Sequence, residues 1–169
     1  QTIRLGRHVV AIRSTADSVH SIITRTMGHL ATADAAEVTI SICDSATTQH
    51  ASPTEPAWAV DTWRHESAST VLYQDRDRDS VAYSDAERGV ALWWIRDEAS
   101  IPAWERPAPL RALIARLLGP HAVTPLHAGL AGDDWGSLLL AGRGGLGQTT
   151  PLVACVPGRV HAGAPRFGR

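Results

Sequence analysis

The chain has 169 residues, 16 basic and 17 acidic, for a net charge of −1, and 44% of it is apolar. This is the composition of one globular domain or two small ones, and it carries no basic excess for neutralising nucleic-acid phosphates. No apolar run is long enough for a membrane-spanning helix, and no charged-then-apolar segment opens the chain, so a cytoplasmic protein that binds neither membrane nor nucleic acid is expected.

Residues 2–13 (TIRLGRHVVAIR) read as two short strands around a turn at Gly6. A helix follows, because Val19, Ile22, Ile23, Met27 and Leu30 recur at helical spacing, with Ser14 or Thr15 as its cap. The segment EVTISIC alternates strictly, which is the pattern of a half-buried strand with Val38, Ile40 and Ile42 on one face. Residues 44–56 read as a polar loop, and three strands are expected at Ala57–Trp63, Thr70–Gln74 and Ser80–Tyr83. The charges of Asp75-Arg76-Asp77-Arg78-Asp79 read as a solvated hairpin tip rather than a cation site, because the interleaved guanidinium groups would repel a metal.

Residues 89–96 (GVALWWIR) predict a strong strand after a turn at Asp85–Gly89. Asp97–Pro109 contains three prolines and reads as a connector. Leu110, Leu113, Ile114, Leu117 and Leu118 then mark one face of a short helix ended by Gly119-Pro120. Strands are expected at Val123–Leu130 and Ser137–Ala141, joined by a turn at Gly132-Asp133-Asp134. The residues from Pro157 onward show no periodicity.

A glycine-rich loop, Gly142-Arg143-Gly144-Gly145-Leu146-Gly147-Gln148-Thr149-Thr150, follows the last of these strands directly. Gly142, Gly147 and Thr149 match the phosphate-binding pattern G-x-x-x-x-G-K-[ST], but Gln148 stands at the lysine position. Glycines let backbone N–H groups cradle an anion, whereas the lysine supplies the charge that phosphoryl transfer needs. No lysine elsewhere can replace it, since all 16 basic residues are arginine. Arg143 is the one candidate substitute within the loop.

Three stretches together with this loop carry a resemblance. Gly89–Asp97 (GVALWWIRD), Pro102–Arg111 (PAWERPAPLR) and Leu126-His127-Ala128 are similar to segments of bacterial HPr kinase-related proteins, many of which lie in biosynthetic clusters for peptide natural products. The resemblance covers roughly residues 85–155, and its most telling parts are the W-E-R…P-L-R stretch and the H-A pair. It implies a P-loop kinase-like α/β core behind a variable N-terminal domain. The chain departs from that pattern at Gln148, at Gly144 where the family has Ser, and in ending 19 residues after Thr150. A complete kinase site is therefore not expected. The fold expected is an α+β remnant of the kinase-like fold, mostly antiparallel sheet with two or three helices. Its expected parts are an N-terminal region (1–106), a truncated P-loop region (107–156) and an irregular tail (157–169).

The remaining candidate chemistry lies in aromatic and histidine side chains. Six tryptophans against one Phe and two Tyr suggest aromatic walls for an apolar or cationic ligand. Trp93 and Trp94 are adjacent in a strand and so face opposite sides, one toward the core and one toward a pocket or interface. None of the eight histidines pairs at metal-ligand spacing, and Cys43 and Cys155 lack a C-x-x-C pattern, so neither metal nor cofactor is expected. His127 is the acid–base candidate, both for its place beside the loop and because the family has a histidine there.

The leading reading is a protein that no longer transfers phosphate and binds a small organic molecule in a cavity lined by Trp93, Trp94, Trp104, Trp135, Arg143, Gln148 and Thr149. Gly142, Gly144, Gly145 and Gly147 form its degenerate phosphate loop, and His127 would serve a cyclisation or isomerisation. Alternatives are residual phosphotransfer or nucleotide binding through Arg143, and a non-catalytic partner subunit of a biosynthetic enzyme. An uncovered sheet edge makes a homodimer the expected state.

Overall fold

The computed structural model describes residues 1–51, 62–67, 70–75, 80–119, 126, 128–133, 136–141 and 161–163. The chain divides into two compact units, Gln1–Ala122 and Val123–Arg169.

The first unit is built on a seven-stranded sheet. Its strands are β1 (Thr2–Leu5), β2 (His8–Ser14), β3 (Val38–Asp44), β4 (Thr62–Glu66), β5 (Thr70–Asp75), β6 (Ser80–Asp85) and β7 (Val90–Ile95), in the order β1-β2-β3-β7-β6-β5-β4. β3 lies parallel to β2 on one side and to β7 on the other, and the remaining neighbours are antiparallel. The sheet is therefore mixed, which corrects the expectation of a mostly antiparallel one. The α+β class holds, with three helices, α1 (Asp17–Met27), α2 (Ser45–Thr48) and α3 (Arg111–Leu118), among the described residues.

The alternation read in β3 is the key to the core. Val38, Ile40 and Ile42 are buried while Thr39, Ser41 and Cys43 between them are half-buried. In register with Val38 and Ile40 lie Val10 and Ile12 of β2 and Ala91 of β7, and Ile95 of β7 pairs with Asp44 at the strand's end, all buried. Over this face α1 seats Val19, Ile22, Ile23 and Met27, and α3 seats Leu113, Ile114, Leu117 and Leu118. On this face β6 presents Ser80, Ala82 and Ser84, β7 presents Ala91, Trp93 and Ile95, and α3 packs against both strands.

Neither residue expected to cap α1 does so. Its N-terminal flank is Ala16, with no side-chain cap. Ser14 is still paired with Ile42, and its hydroxyl accepts from the Ala16 N–H and donates to the Ala16 carbonyl. The Thr15 hydroxyl accepts instead from the Asp44 N–H at 3.0 Å, tying the end of β2 to the end of β3. The stretch after β3, read as loop, opens with the single turn α2, where the buried Asp44 carboxylate accepts from the Thr47 N–H at 2.6 Å.

The connector after β7 is held by side chains, Asp97 accepting from the Ser100 N–H and hydroxyl at 2.9 Å and Arg106 spanning further along. Arg106 donates to the Glu98 carboxylate, the Glu98 carbonyl and the Ile101 carbonyl at 3.0–3.2 Å. Leu110 then starts α3 from the left-handed region at φ +66, and its side chain is buried. The hairpin between β1 and β2 is fixed from beneath. The buried His8 ring places Nδ1 3.0 Å from the Glu37 carboxylate, and Nε2 accepts from the Arg7 Nε–H at 3.2 Å.

The second unit contains a three-stranded antiparallel sheet of β8 (Ala128–Asp133), β9 (Gly136–Ala141) and β10 (His161–Gly163), in the order β10-β8-β9. β10 comes from the tail in which no periodicity was visible. Leu138 and Leu139, adjacent in β9 and so on opposite faces, are 59% and 45% exposed.

Candidate functional site

The two faces of the seven-stranded sheet differ. One carries α1 and α3. The other, the open face, is turned away from α1 and α3 and meets α2 where Ser45 reaches Trp94, and its side chains are mostly half-buried. Strand register orders this open face into rows. One row runs Cys43, Trp94, Val81 across β3, β7 and β6. The next runs Arg13, Ser41, Leu92, Tyr83 across β2, β3, β7 and β6. A third holds Ala11, Thr39, Val90 and Asp85.

Trp94 is the best-fixed aromatic side chain of this face. Its indole Nε1 donates to the Ser45 hydroxyl at 2.7 Å, a contact between residues 49 positions apart. The donor is thereby consumed inside the protein, so the indole offers a ligand its ring rather than a hydrogen bond. The Ala46 N–H donates to the Arg96 carbonyl at 3.0 Å and closes the same end of the sheet. Asp85 is buried, but it accepts from the Arg88 N–H at 3.1 Å and sits 3.6 Å from the Arg88 guanidinium. It serves as the lock of the β6–β7 turn.

Cys43 stands beside Trp94 and is the one nucleophilic thiol among the described residues. Partial burial pushes its pKa above the ordinary thiol value. A raised pKa leaves less thiolate at any given pH, so this is not an activated nucleophile. Alkylation of a Cys155→Ser protein by iodoacetamide should accordingly run more slowly at pH 8 than for a free thiol, and gain rate only as pH climbs past the usual thiol range. A rate equal to that of free cysteine at pH 8 would contradict this environment. Asp34 and Asp97 shift the other way. The Thr32 hydroxyl and then Arg4 lower the first, and the Ser100 hydroxyl lowers the second. Asp34 pairs with Arg4 of β1, and Asp97 braces the connector after β7.

The residues singled out from sequence separate as follows. Trp93 and Trp94 do point to opposite faces: Trp93 is in register with Ile42 and Ala82 on the helix-covered side, and Trp94 is on the open side. Trp104 is 57% exposed in the connector, two residues before the Arg106 clamp. His127, Trp135, Arg143, Gln148, Thr149 and the glycines Gly142, Gly144, Gly145 and Gly147 lie outside the described residues, as do residues 76–79 of the charged hairpin tip. Sequence reasoning missed Arg13, Ser41, Cys43, Ser45, Val81, Tyr83 and Leu92 as members of one face. The signal available for them was the polar half of the strand alternation, which was read only as the outside of a strand.

Among the described residues no group of three or more His, Cys, Asp or Glu side chains is placed to hold a metal ion, and no helix is long and apolar enough to cross a membrane. No family model, curated protein or solved structure matches the chain.

Proposed function

We propose that this protein binds and positions a small organic molecule on the open face of its seven-stranded sheet and does not transfer phosphate. The observation that carries this reading is Trp94. Its half-buried ring is fixed by Ser45 beside Cys43 and Val81, on the face turned away from α1 and α3. A fixed aromatic plane among half-exposed apolar side chains gives a ligand area to bury at little ordering cost. The absence of phosphoryl transfer rests on Gln148 at the lysine position and on a chain without any lysine. Should the bound molecule be turned over, the reading assigns acid–base duty to His127 and a cyclisation or isomerisation as the reaction, in keeping with the biosynthetic setting of the HPr kinase-related proteins that the sequence resembles.

A thermal-shift and equilibrium-dialysis panel of apolar organic molecules, run beside magnesium-ATP, tests this reading. An apolar class should raise the melting temperature, the gain should shrink at least threefold in Trp94→Ala, and labelled ATP should pass no γ-phosphate to any acceptor. Phosphate transfer by purified protein, or binding that Trp94→Ala leaves untouched, overturns it.

A second reading, self-association, is favoured by β9. Its run Ser137-Leu138-Leu139-Leu140-Ala141 has no charge and no proline, and it ends the order of its sheet with two exposed leucines. Sedimentation should then show a dimer that Leu138→Lys converts to monomer, while a monomer at all concentrations would dismiss this reading.

A further inference from the structure

We infer that the open face selects apolar molecules carrying a carboxylate, with Arg13 taking the charged end and the Leu92 and Trp94 rows taking the body. This deepens the proposed function and rests on it. Arg13 lies on β2 at the head of the row that continues through Ser41 to Leu92 and Tyr83. It is exposed, and among the described residues no ion pair or hydrogen bond engages its guanidinium.

The other charged side chains described on that face are paired. Arg4 of β1 is held by Asp34, and Asp85 of β6 is held by the Arg88 N–H and guanidinium. The described part of the face therefore presents one uncommitted charge, and it is positive. Adjacent strands lie about 4.8 Å apart, so the backbone of Leu92 is only about 10 Å from that of Arg13. The Ser41 hydroxyl group stands between the cation and the apolar body of the face. A guanidinium matches a carboxylate through two parallel N–H···O bonds, which a neutral amide cannot reproduce. The indole of Trp94, with its donor already engaged by Ser45, contributes stacking area without competing for the anion.

The test uses an isosteric probe pair, 2-naphthoate and 2-naphthamide, measured by equilibrium dialysis on the full chain. Naphthoate should bind at least tenfold tighter than naphthamide, and rising salt should erode that preference while leaving naphthamide binding unchanged. Arg13→Gln, a substitution at an exposed strand position, should collapse the ratio to near one. Trp94→Phe, with folding checked by its melting curve, should weaken both probes together. Equal affinity for the two probes, or a preference that survives Arg13→Gln, overturns the inference and leaves the binding face standing. Failure of both probes to bind, or indifference of both to Trp94→Phe, overturns the inference together with the reading beneath it.

Discussion

Replacing Ile40 with alanine should lower the free energy of unfolding by about 3–5 kcal/mol, near the top of the range for buried Ile-to-Ala changes. Ile40 has no solvent exposure and sits on the central strand β3, between Ile12 of β2 and Ala91 of β7. Its neighbours are fixed by strand pairing on both sides and lie beneath the helix-covered face, so they cannot collapse into the space it leaves. A domain of ordinary stability holds only about 5–15 kcal/mol, so this single change removes a substantial fraction of the total. Urea denaturation should show a lower midpoint with an unchanged slope. Val90→Ala, on the same sheet but 39% exposed on the open face, should cost less than about 1 kcal/mol. Comparable losses for the two would mean that the faces are not divided as described.

Gly89→Ala should cost about 2–3 kcal/mol, and Gly6→Ala only about 1, although both glycines occupy the same backbone region. Gly89 adopts φ +64, and a Cβ there would lie 3.1 Å from the Glu37 carbonyl oxygen and 3.2 Å from Val38 Cγ1. The Gly89 carbonyl also accepts from the Thr39 N–H at 2.8 Å, so the turn cannot retreat without loosening the start of β3 against β7. Gly6 adopts φ +61 in the β1–β2 hairpin, with nothing within 4 Å of an added Cβ. An alanine there bears only the strain of the left-handed conformation. Thermal melts of the two variants measure the difference, and equal shifts would show that the contact with Glu37 and Val38 carries no weight.

Local pattern made several elements readable. The β1–β2 pair around Gly6, the helix carrying Val19 to Met27, the alternating β3 and the helix carrying Leu113 to Leu118 all follow from spacing. The opposite aim of Trp93 and Trp94 follows from the two-residue period of a strand. Pairing was not readable in the same way. Periodicity states which residues of a strand share a face and is silent on which strand lies beside it. The parallel contact of β3 with β7 spans the whole of β4, β5 and β6, and nothing in either strand names the other.

The candidate site suffered from the same limit. Arg13, Ser41 and Leu92, like Cys43 and Trp94, are far apart in sequence and align only through register. The W-E-R stretch carries a resemblance to kinase-related proteins, yet Arg106 within it has a plain structural duty, bracing Glu98 and Ile101. Its presence can be required by the bend of the connector whether or not any phosphate is handled nearby.

The position of β3 has a consequence for biogenesis. One of its neighbours, β2, leaves the ribosome before it, but the other, β7, is completed only at Ile95, 51 residues after Asp44. At roughly 5–20 residues per second, one edge of the nascent core stays unpaired for some seconds, a window in which aggregation competes with folding. Slowing translation between these two strands should lower soluble yield, and holdase chaperones should restore it.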